Sequence, residues 1–139
     1  IKMYALLILM LTLIASCKTN DPAAPDDRAL AFEKLAGSWT LGSSGSIMVD
    51  GQDASLNYDG FLLSFTDGGY ATINGGDLFN ASGTWAWANA EAGEITLDNS
   101  RSIVIISLSE NEFTFSFTSS GNRGVRAGVA GNYVITVVK

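Results

Sequence analysis

Short runs of alternating apolar and polar residues, separated by tight-turn residues, fill the chain after Gly37. The clearest run is 113–118 (FTFSFT), in which three phenylalanines alternate with hydroxyl residues. Because successive side chains of a β-strand point to opposite faces, this run places its three rings on one face of a sheet. Two more runs, 61–66 (FLLSFT) and 82–88 (SGTWAWA), repeat the pattern. The chain is therefore predicted to consist of antiparallel strands that bury one face.

About nine strands are expected, at a spacing of roughly ten residues. They cover 38–41, 47–49, 61–66, 70–74, 82–88, 94–97, 103–108, 113–118 and 133–138. Asp67-Gly68 between two apolar runs is a strong hairpin signal, and no long helical pattern separates the strands, which argues against a parallel α/β sheet. Consecutive hairpins favour an all-β antiparallel up-and-down barrel of about eight to nine strands over an immunoglobulin-like sandwich, whose Greek-key order needs longer crossovers.

One short helix is expected ahead of the strands, over residues 28–35 (RALAFEKL). These residues are good helix formers, and either Asp26 or Asp27 can cap the first turn. Ala36-Gly37 ends the helix. We expect about two turns of helix to lie over one end of the strand domain.

The first 17 residues have the layout of a secretory signal peptide. Lys2 precedes an apolar run over 4–14, and two small residues stand before Cys17, the one cysteine of the chain. A helix that spans a bilayer needs about 20 residues, so we prefer a signal peptide to a transmembrane helix. If translation begins at Met3, the positive charge of Lys2 is lost.

The end of this segment, residues 14–17 (IASC), resembles the lipobox of bacterial lipoproteins. The resemblance implies that the sulfur of Cys17 receives a diacylglycerol, that residues 1–16 are removed, and that the new amino group is acylated. Two or more acyl chains anchor a protein stably, so we expect a lipid-anchored protein of the bacterial cell envelope, in the outer membrane. Residues 17–27 hold both prolines of the chain and are predicted to form a tether ahead of one domain over 28–139.

Four short motifs resemble the lipocalins and the small lipocalin-like domains of lipoproteins of the Bacteroidota type. They are Gly37-Ser38-Trp39, 65–70 (FTDGGY), 82–85 (SGTW) and 131–133 (GNY). The resemblance implies a barrel over 28–139 whose closed end is formed at Gly37 and Trp39, with the tryptophan beneath the N-terminal helix. Many lipocalins also pack an arginine from near the last strand on this tryptophan. The last strand here has no basic residue, so Arg126 in the preceding loop is the candidate.

Apolar rows on the predicted inward face are the candidate ligand site. They comprise Phe61, Leu63, Phe65, Trp85, Trp87, Phe113, Phe115 and Phe117. The interior of a barrel of about eight strands can be filled by side chains or hold one small ligand. Two functions therefore stay open. The protein either binds a small apolar or amphipathic molecule, or is a packed module that binds another envelope protein.

Composition argues against several other functions. The chain has 8 basic and 14 acidic residues, with a formal net charge of −6, which does not suit a nucleic-acid partner. It has no histidine, the commonest general base, and no nucleophile–base pair is recognisable. The Asp-Gly turns lack the spacing of a calcium loop. We expect a monomer that is not an enzyme and needs neither a metal nor another cofactor.

Overall fold

The computed structural model describes residues 26–120 and 130–139, in which ten antiparallel strands form one sheet that closes on itself. The strands are β1 (Gly37–Thr40), β2 (Ser46–Val49), β3 (Gln52–Asp53), β4 (Leu62–Thr66), β5 (Gly69–Ile73), β6 (Ser82–Trp87), β7 (Glu94–Leu97), β8 (Arg101–Leu108), β9 (Glu112–Ser119) and β10 (Gly131–Val138). An α-helix, α1, spans Asp27–Leu35, and a 3₁₀ helix spans Ser55–Tyr58. Among these residues, no helix has both the length and the apolar character that crossing a membrane requires.

Eight of the strands, β1 and β4–β10, make the closed wall of the barrel. Each strand from β4 to β9 pairs with the next in sequence. The seam closes at β1, which pairs with β4 on one side and, at Thr40 opposite Val138, with β10 on the other. β2 continues along β10, with Ser46 opposite Thr136, and then pairs with β3. The predicted all-β up-and-down barrel with a short N-terminal helix is confirmed.

The nine predicted strands all occur, with bounds that differ by at most two residues. The tenth, β3, was not predicted, because its two residues are exposed and have no apolar pattern. The helix begins at Asp27, and the carboxylate of Asp26 caps it by accepting a hydrogen bond from the N–H of Ala29 at 2.8 Å. The predicted signal peptide, Cys17, most of the tether and Arg126 lie outside the described residues.

Apolar side chains from all eight wall strands fill the barrel interior. On β9, the rings of Phe113, Phe115 and Phe117 stack in succession, with centroids 4.7 and 6.2 Å apart. This column of rings runs along the barrel. Phe113 contacts Trp39 near α1, at 5.7 Å between ring centroids, and Phe117 stacks on Tyr133 towards the opposite end, at 5.2 Å. We call these two the helix end and the loop end.

Candidate functional site

The eight residues of the predicted ligand site come together inside the barrel, where they pack on one another. Seven of them are buried members of one core, and Trp87 is half-buried against it. The ring of Trp85 lies 5.8 Å from that of Phe65 and 5.0 Å from that of Trp87, both edge-on. The positions that would line a ligand cavity thus make the packed core.

Trp39 lies at the helix end, fully buried next to α1. Its indole N–H donates a hydrogen bond to the carbonyl of Leu35, the last residue of the helix, at 2.8 Å. Phe32 of α1 stacks on Trp85, with ring centroids 5.8 Å apart. Gly37, the other predicted closing residue, opens β1 and is exposed. The helix is therefore joined to the core by both a main-chain acceptor and an aromatic contact.

Lys139 covers Trp39 from outside the barrel. Its ammonium lies 4.5 Å from the centroid of the Trp39 ring. The same nitrogen donates hydrogen bonds to the carbonyls of Lys34 and Ala36, at 2.7 and 2.8 Å. The candidate from the sequence, Arg126, lies outside the described residues. Lys139 was not predicted, because it stands one residue beyond the last predicted strand.

The loop between β5 and β6, residues 74–81, closes the opposite end of the barrel. Leu78 is fully buried, and Phe79 is 7% exposed. The ring of Phe79 lies 5.4 Å from that of Phe117 and 6.3 Å from that of Phe115. We call Leu78 and Phe79 the plug. Burying two such side chains stabilises the closed arrangement by about 3–6 kcal/mol.

Arg101 fastens the plug to the wall. Its guanidinium donates a hydrogen bond to the carbonyl of Leu78. It also lies between two rings, 5.8 Å from the centroid of Phe79 and 5.1 Å from that of Phe117. Within 26–120 and 130–139, this is its one hydrogen bond, and it forms no ion pair. A half-buried cation therefore depends on the plug for its acceptor.

Asp98, in the turn between β7 and β8, fastens the end of the loop. One of its oxygens accepts hydrogen bonds from the Tyr70 hydroxyl at 2.5 Å and from the Asn80 amide at 3.0 Å. The other accepts from the N–H of Thr84 at 3.0 Å. A Cβ at Gly83 would lie 2.0 Å from an Asp98 oxygen, so glycine is required for this approach.

These contacts also set the pKa values of the pair. Burial, followed by the hydrogen bond to Asp98, raises the pKa of Tyr70 to about 12. The hydrogen bond from Tyr70 holds the pKa of Asp98 below its usual value of 3.8. At neutral pH the tyrosine is thus a neutral donor and the aspartate an anionic acceptor. The pair thus holds Asn80, near the end of the loop, through a hydrogen bond that does not change near neutral pH.

Among the described residues, strand pairing stops short of the plug itself. The β4–β5 ladder ends at Ile73, and the β5–β6 ladder begins at Ser82. Between them, Thr72 donates twice to the end of the loop, from its N–H to the carbonyl of Ala81 at 2.9 Å and from its hydroxyl to that of Asn80 at 2.8 Å. The N–H of Leu78 donates to Gly75 within the loop at 3.1 Å. The plug is therefore held mainly by burial and by side-chain hydrogen bonds.

A cleft of about 580 Å³ lies on the outside of the wall, at the loop-end portions of β8, β9 and β10. It is lined mostly by residues that alternate with core positions and so face outward, among them Ser102, Val104, Ser116, Thr118, Asn132 and Val134. Pockets for small molecules have volumes of about 300–1,000 Å³. This cleft mixes hydroxyl groups with two exposed valines, and it extends to the loop end, where Asp77, Arg101 and Phe117 also line it.

Neither a metal site nor a known relative points to another function. In residues 26–120 and 130–139, no three His, Cys, Asp or Glu side chains are placed to hold a metal ion. Comparison of the chain with models of protein families, with curated protein sequences and with solved structures finds no match in any of the three. The barrel and its two differently closed ends are thus the basis for inferring function.

Proposed function

We propose that the chain is a non-catalytic, lipid-anchored protein of the bacterial envelope that binds a small apolar or amphipathic molecule at the loop end of its barrel. The observation that supports this most is the plug. Leu78 and Phe79 occupy the mouth of an apolar barrel but lie between the end of one strand ladder and the start of the next. A mouth of this kind can open while the wall stays intact.

The wall behind the plug supplies the surface that such a ligand needs. Phe61, Phe115 and Phe117 present aromatic rings to the side chain of Phe79, at 5.4 to 6.3 Å between centroids. An apolar molecule in the same place makes the same contacts. Aromatic walls with few polar groups are typical of sites that bind small apolar molecules.

The predicted anchor is compatible with access to this end. The chain reaches the domain through α1, which packs on Trp85 near the helix end. A lipid on Cys17 is therefore expected to attach the domain through the end away from the plug. Anchoring is tested by expressing the wild-type chain and Cys17→Ala in a Gram-negative host and separating membranes from soluble fractions. We expect the wild type in the membranes and the variant in the soluble fraction. Equal partitioning would contradict the anchor.

Ligand binding is tested by purifying the chain without added lipid, extracting it with organic solvent and analysing the extract by mass spectrometry. We expect one small amphipathic species at near-stoichiometric amount. Phe115→Ala, which removes a ring behind the plug, should change its retention, whereas Ile106→Ala on the exposed outer face of β8 should not. An empty extract, together with no thermal shift on adding amphipathic probes, would contradict the proposal.

A second function, binding to another envelope protein, is favoured by the outer wall. Val104, Ile106 and Val134 are 48%, 56% and 37% exposed, and Val104 and Val134 line the outer cleft. A photo-crosslinking side chain at position 104 tests this in living cells. A specific protein adduct from position 104, and none from the 95% exposed position 56 on the 3₁₀ helix, would favour this second function.

A further inference from the structure

We infer that the loop end contains a binding site for a small anionic amphipathic molecule, that the plug fills this site in the structure, and that Arg101 binds the anionic group when the molecule displaces the plug. The inference rests on the proposed function and deepens it. It specifies which side chains move, which residue recognises the ligand, and what chemical class the ligand belongs to.

The plug is the part of the packed interior that can leave. Phe115 belongs to β9, which is hydrogen-bonded to both β8 and β10, so moving this ring far requires breaking the wall. Leu78 and Phe79 have no such constraint, because the ladders stop at Ile73 and start again at Ser82. A segment whose main-chain groups lie outside the strand ladders can open locally while the rest of the fold persists.

The space vacated by the plug has a defined chemistry. Three aromatic rings surround Phe79, those of Phe61, Phe115 and Phe117. The fully buried side chain of Leu78 occupies the rest. A replacing molecule therefore needs a compact apolar body, about the size of these two side chains together.

Arg101 determines which charge the molecule needs. With the plug in place, its guanidinium has the Leu78 carbonyl as acceptor and the Phe79 ring on one side. When the plug leaves, both contacts are lost, and the cation remains half-buried against Phe117. An unpaired buried charge is unfavourable, and an anion that accepts two parallel N–H bonds matches the guanidinium fork.

The charges around Arg101 leave room for such an anion. Asp98 is the carboxylate whose pKa responds to Arg101, but its oxygens already accept from Tyr70, Asn80 and Thr84. Asp77, just before the plug, is exposed and lies beside Arg101 in a small cleft at the loop end. It moves with the loop when the plug leaves. The departing segment thus removes a negative charge as the ligand brings one in.

The closed state reduces the apparent affinity for any such ligand. The burial of the plug makes open conformers about 10²- to 10⁴-fold rarer than closed ones. The apparent dissociation constant rises by the same factor, because only the open fraction binds. A variant with a shortened plug side chain should therefore bind the ligand at least tenfold more tightly than the wild type.

Calorimetric titration with two matched probes tests the site. 1-Anilinonaphthalene-8-sulfonate and N-phenyl-1-naphthylamine have the same rings, but only the first is an anion. We expect Phe79→Ala to tighten binding of the sulfonate at least tenfold. Phe32→Ala, which shortens a phenylalanine at the helix end, should change it less than twofold. Adding Arg101→Gln to Phe79→Ala should weaken the sulfonate at least tenfold and the neutral probe less than twofold.

Hydrogen exchange of the wild-type protein tests whether the plug moves. Saturation with the sulfonate should speed exchange of the Leu78 amide at least fivefold, because Leu78 is fully buried in the structure and becomes exposed to solvent as the loop leaves the barrel. The amides of β9 should not exchange faster. Unchanged exchange at Leu78 with the probe bound would overturn plug displacement.

The failures of the two proposals are distinguishable. If the wild type retains a small molecule while Phe79→Ala and Phe32→Ala bind the sulfonate alike, the inference about the plug is wrong and the proposed function stands. If Arg101→Gln weakens both probes equally, recognition of the anion is wrong. If no extract holds a molecule and neither probe binds the wild type or Phe79→Ala, both proposals are wrong.

Discussion

At the helix end of the barrel, Trp39 is held under a helix by hydrogen bonds to main-chain carbonyls. Its own indole donates to Leu35, and Lys139 above it donates to Lys34 and Ala36. At the loop end, Phe79 is held by side chains from elsewhere in the chain, through Arg101 on its neighbour and Asp98 on the loop. Both rings are buried, so burial alone does not distinguish a permanent closure from one that opens. The difference is in the main chain, because Trp39 belongs to the paired strand β1 and Phe79 to a loop between two ladders.

The largest effect is expected for Trp39→Ala. Truncating a fully buried tryptophan leaves a cavity that packed strands cannot collapse, and the variant should lose about 3–5 kcal/mol of unfolding free energy. Urea unfolding followed by far-UV circular dichroism measures this. The control is Leu56→Ala, at a position that is 95% exposed, with an expected change within about 0.5 kcal/mol. A loss near 1 kcal/mol for Trp39→Ala would mean that the helix end is as adaptable as the loop end.

Lys139→Met should destabilise the helix end by about 1–2 kcal/mol. The methionine keeps an apolar stem of similar length but removes two hydrogen bonds from an ammonium and its contact with the Trp39 ring. The same urea titration measures the change. Lys34→Met, on an exposed position of α1, should have little effect. Equal effects of the two substitutions would show that the Lys139 contacts contribute nothing specific.

Asn80→Ala should act on the loop end without changing global stability by much. It removes the hydrogen bond from the loop to Asp98. The Leu78 amide should then exchange about five- to tenfold faster, as expected for the loss of one such bond. Native-state hydrogen exchange measures this, with the amides of β9 as an internal reference. A uniform increase across the barrel would mean that the loop opens only when the whole barrel unfolds.

The smallest effect is expected for Tyr70→Phe, and only in alkaline solution. Because the pKa of Tyr70 is raised from 10.0 to about 12, the native state holds its proton where the unfolded chain has lost it. This contribution to stability is fully present below about pH 10 and is lost as the pH rises towards 12. The unfolding free energy of the wild type should therefore fall more steeply than that of the variant over this window. Parallel curves would contradict the prediction.

The barrel wall could be predicted from the sequence because apolar and polar residues alternate along its strands. The spacing of Phe113, Phe115 and Phe117 alone predicts a buried face. The plug has no such signal. Leu78 and Phe79 are consecutive, so they fit neither a strand nor a helix face, and Gly75, Gly76 and Asp77 before them are typical of an exposed turn.

The side chains that hold the two ends, Arg101 and Lys139, could not be predicted for a different reason. Arg101 is 23 residues from the carbonyl it binds, and Lys139 is 105 residues from Lys34. Neither spacing follows from a local pattern, since both depend on how the strands are ordered around the barrel. The resemblance to lipocalins implied that Trp39 lies beneath the N-terminal helix, but no pattern in the sequence indicated that Leu78 and Phe79 fill the other end.

The seam of the barrel has a consequence for how the chain reaches its native state. β1 pairs with its second neighbour, β10, only at Thr40 opposite Val138. The first strand of the wall therefore cannot complete its pairing until the last strand is in place. Closing so long a loop is slow, and barrels dominated by such contacts fold in about milliseconds to seconds. Until β10 arrives, β1 and β9 are open edges that can pair with another chain. A species that lacks the closing strand therefore exposes two unpaired edges at once, and it is the form of this chain expected to aggregate.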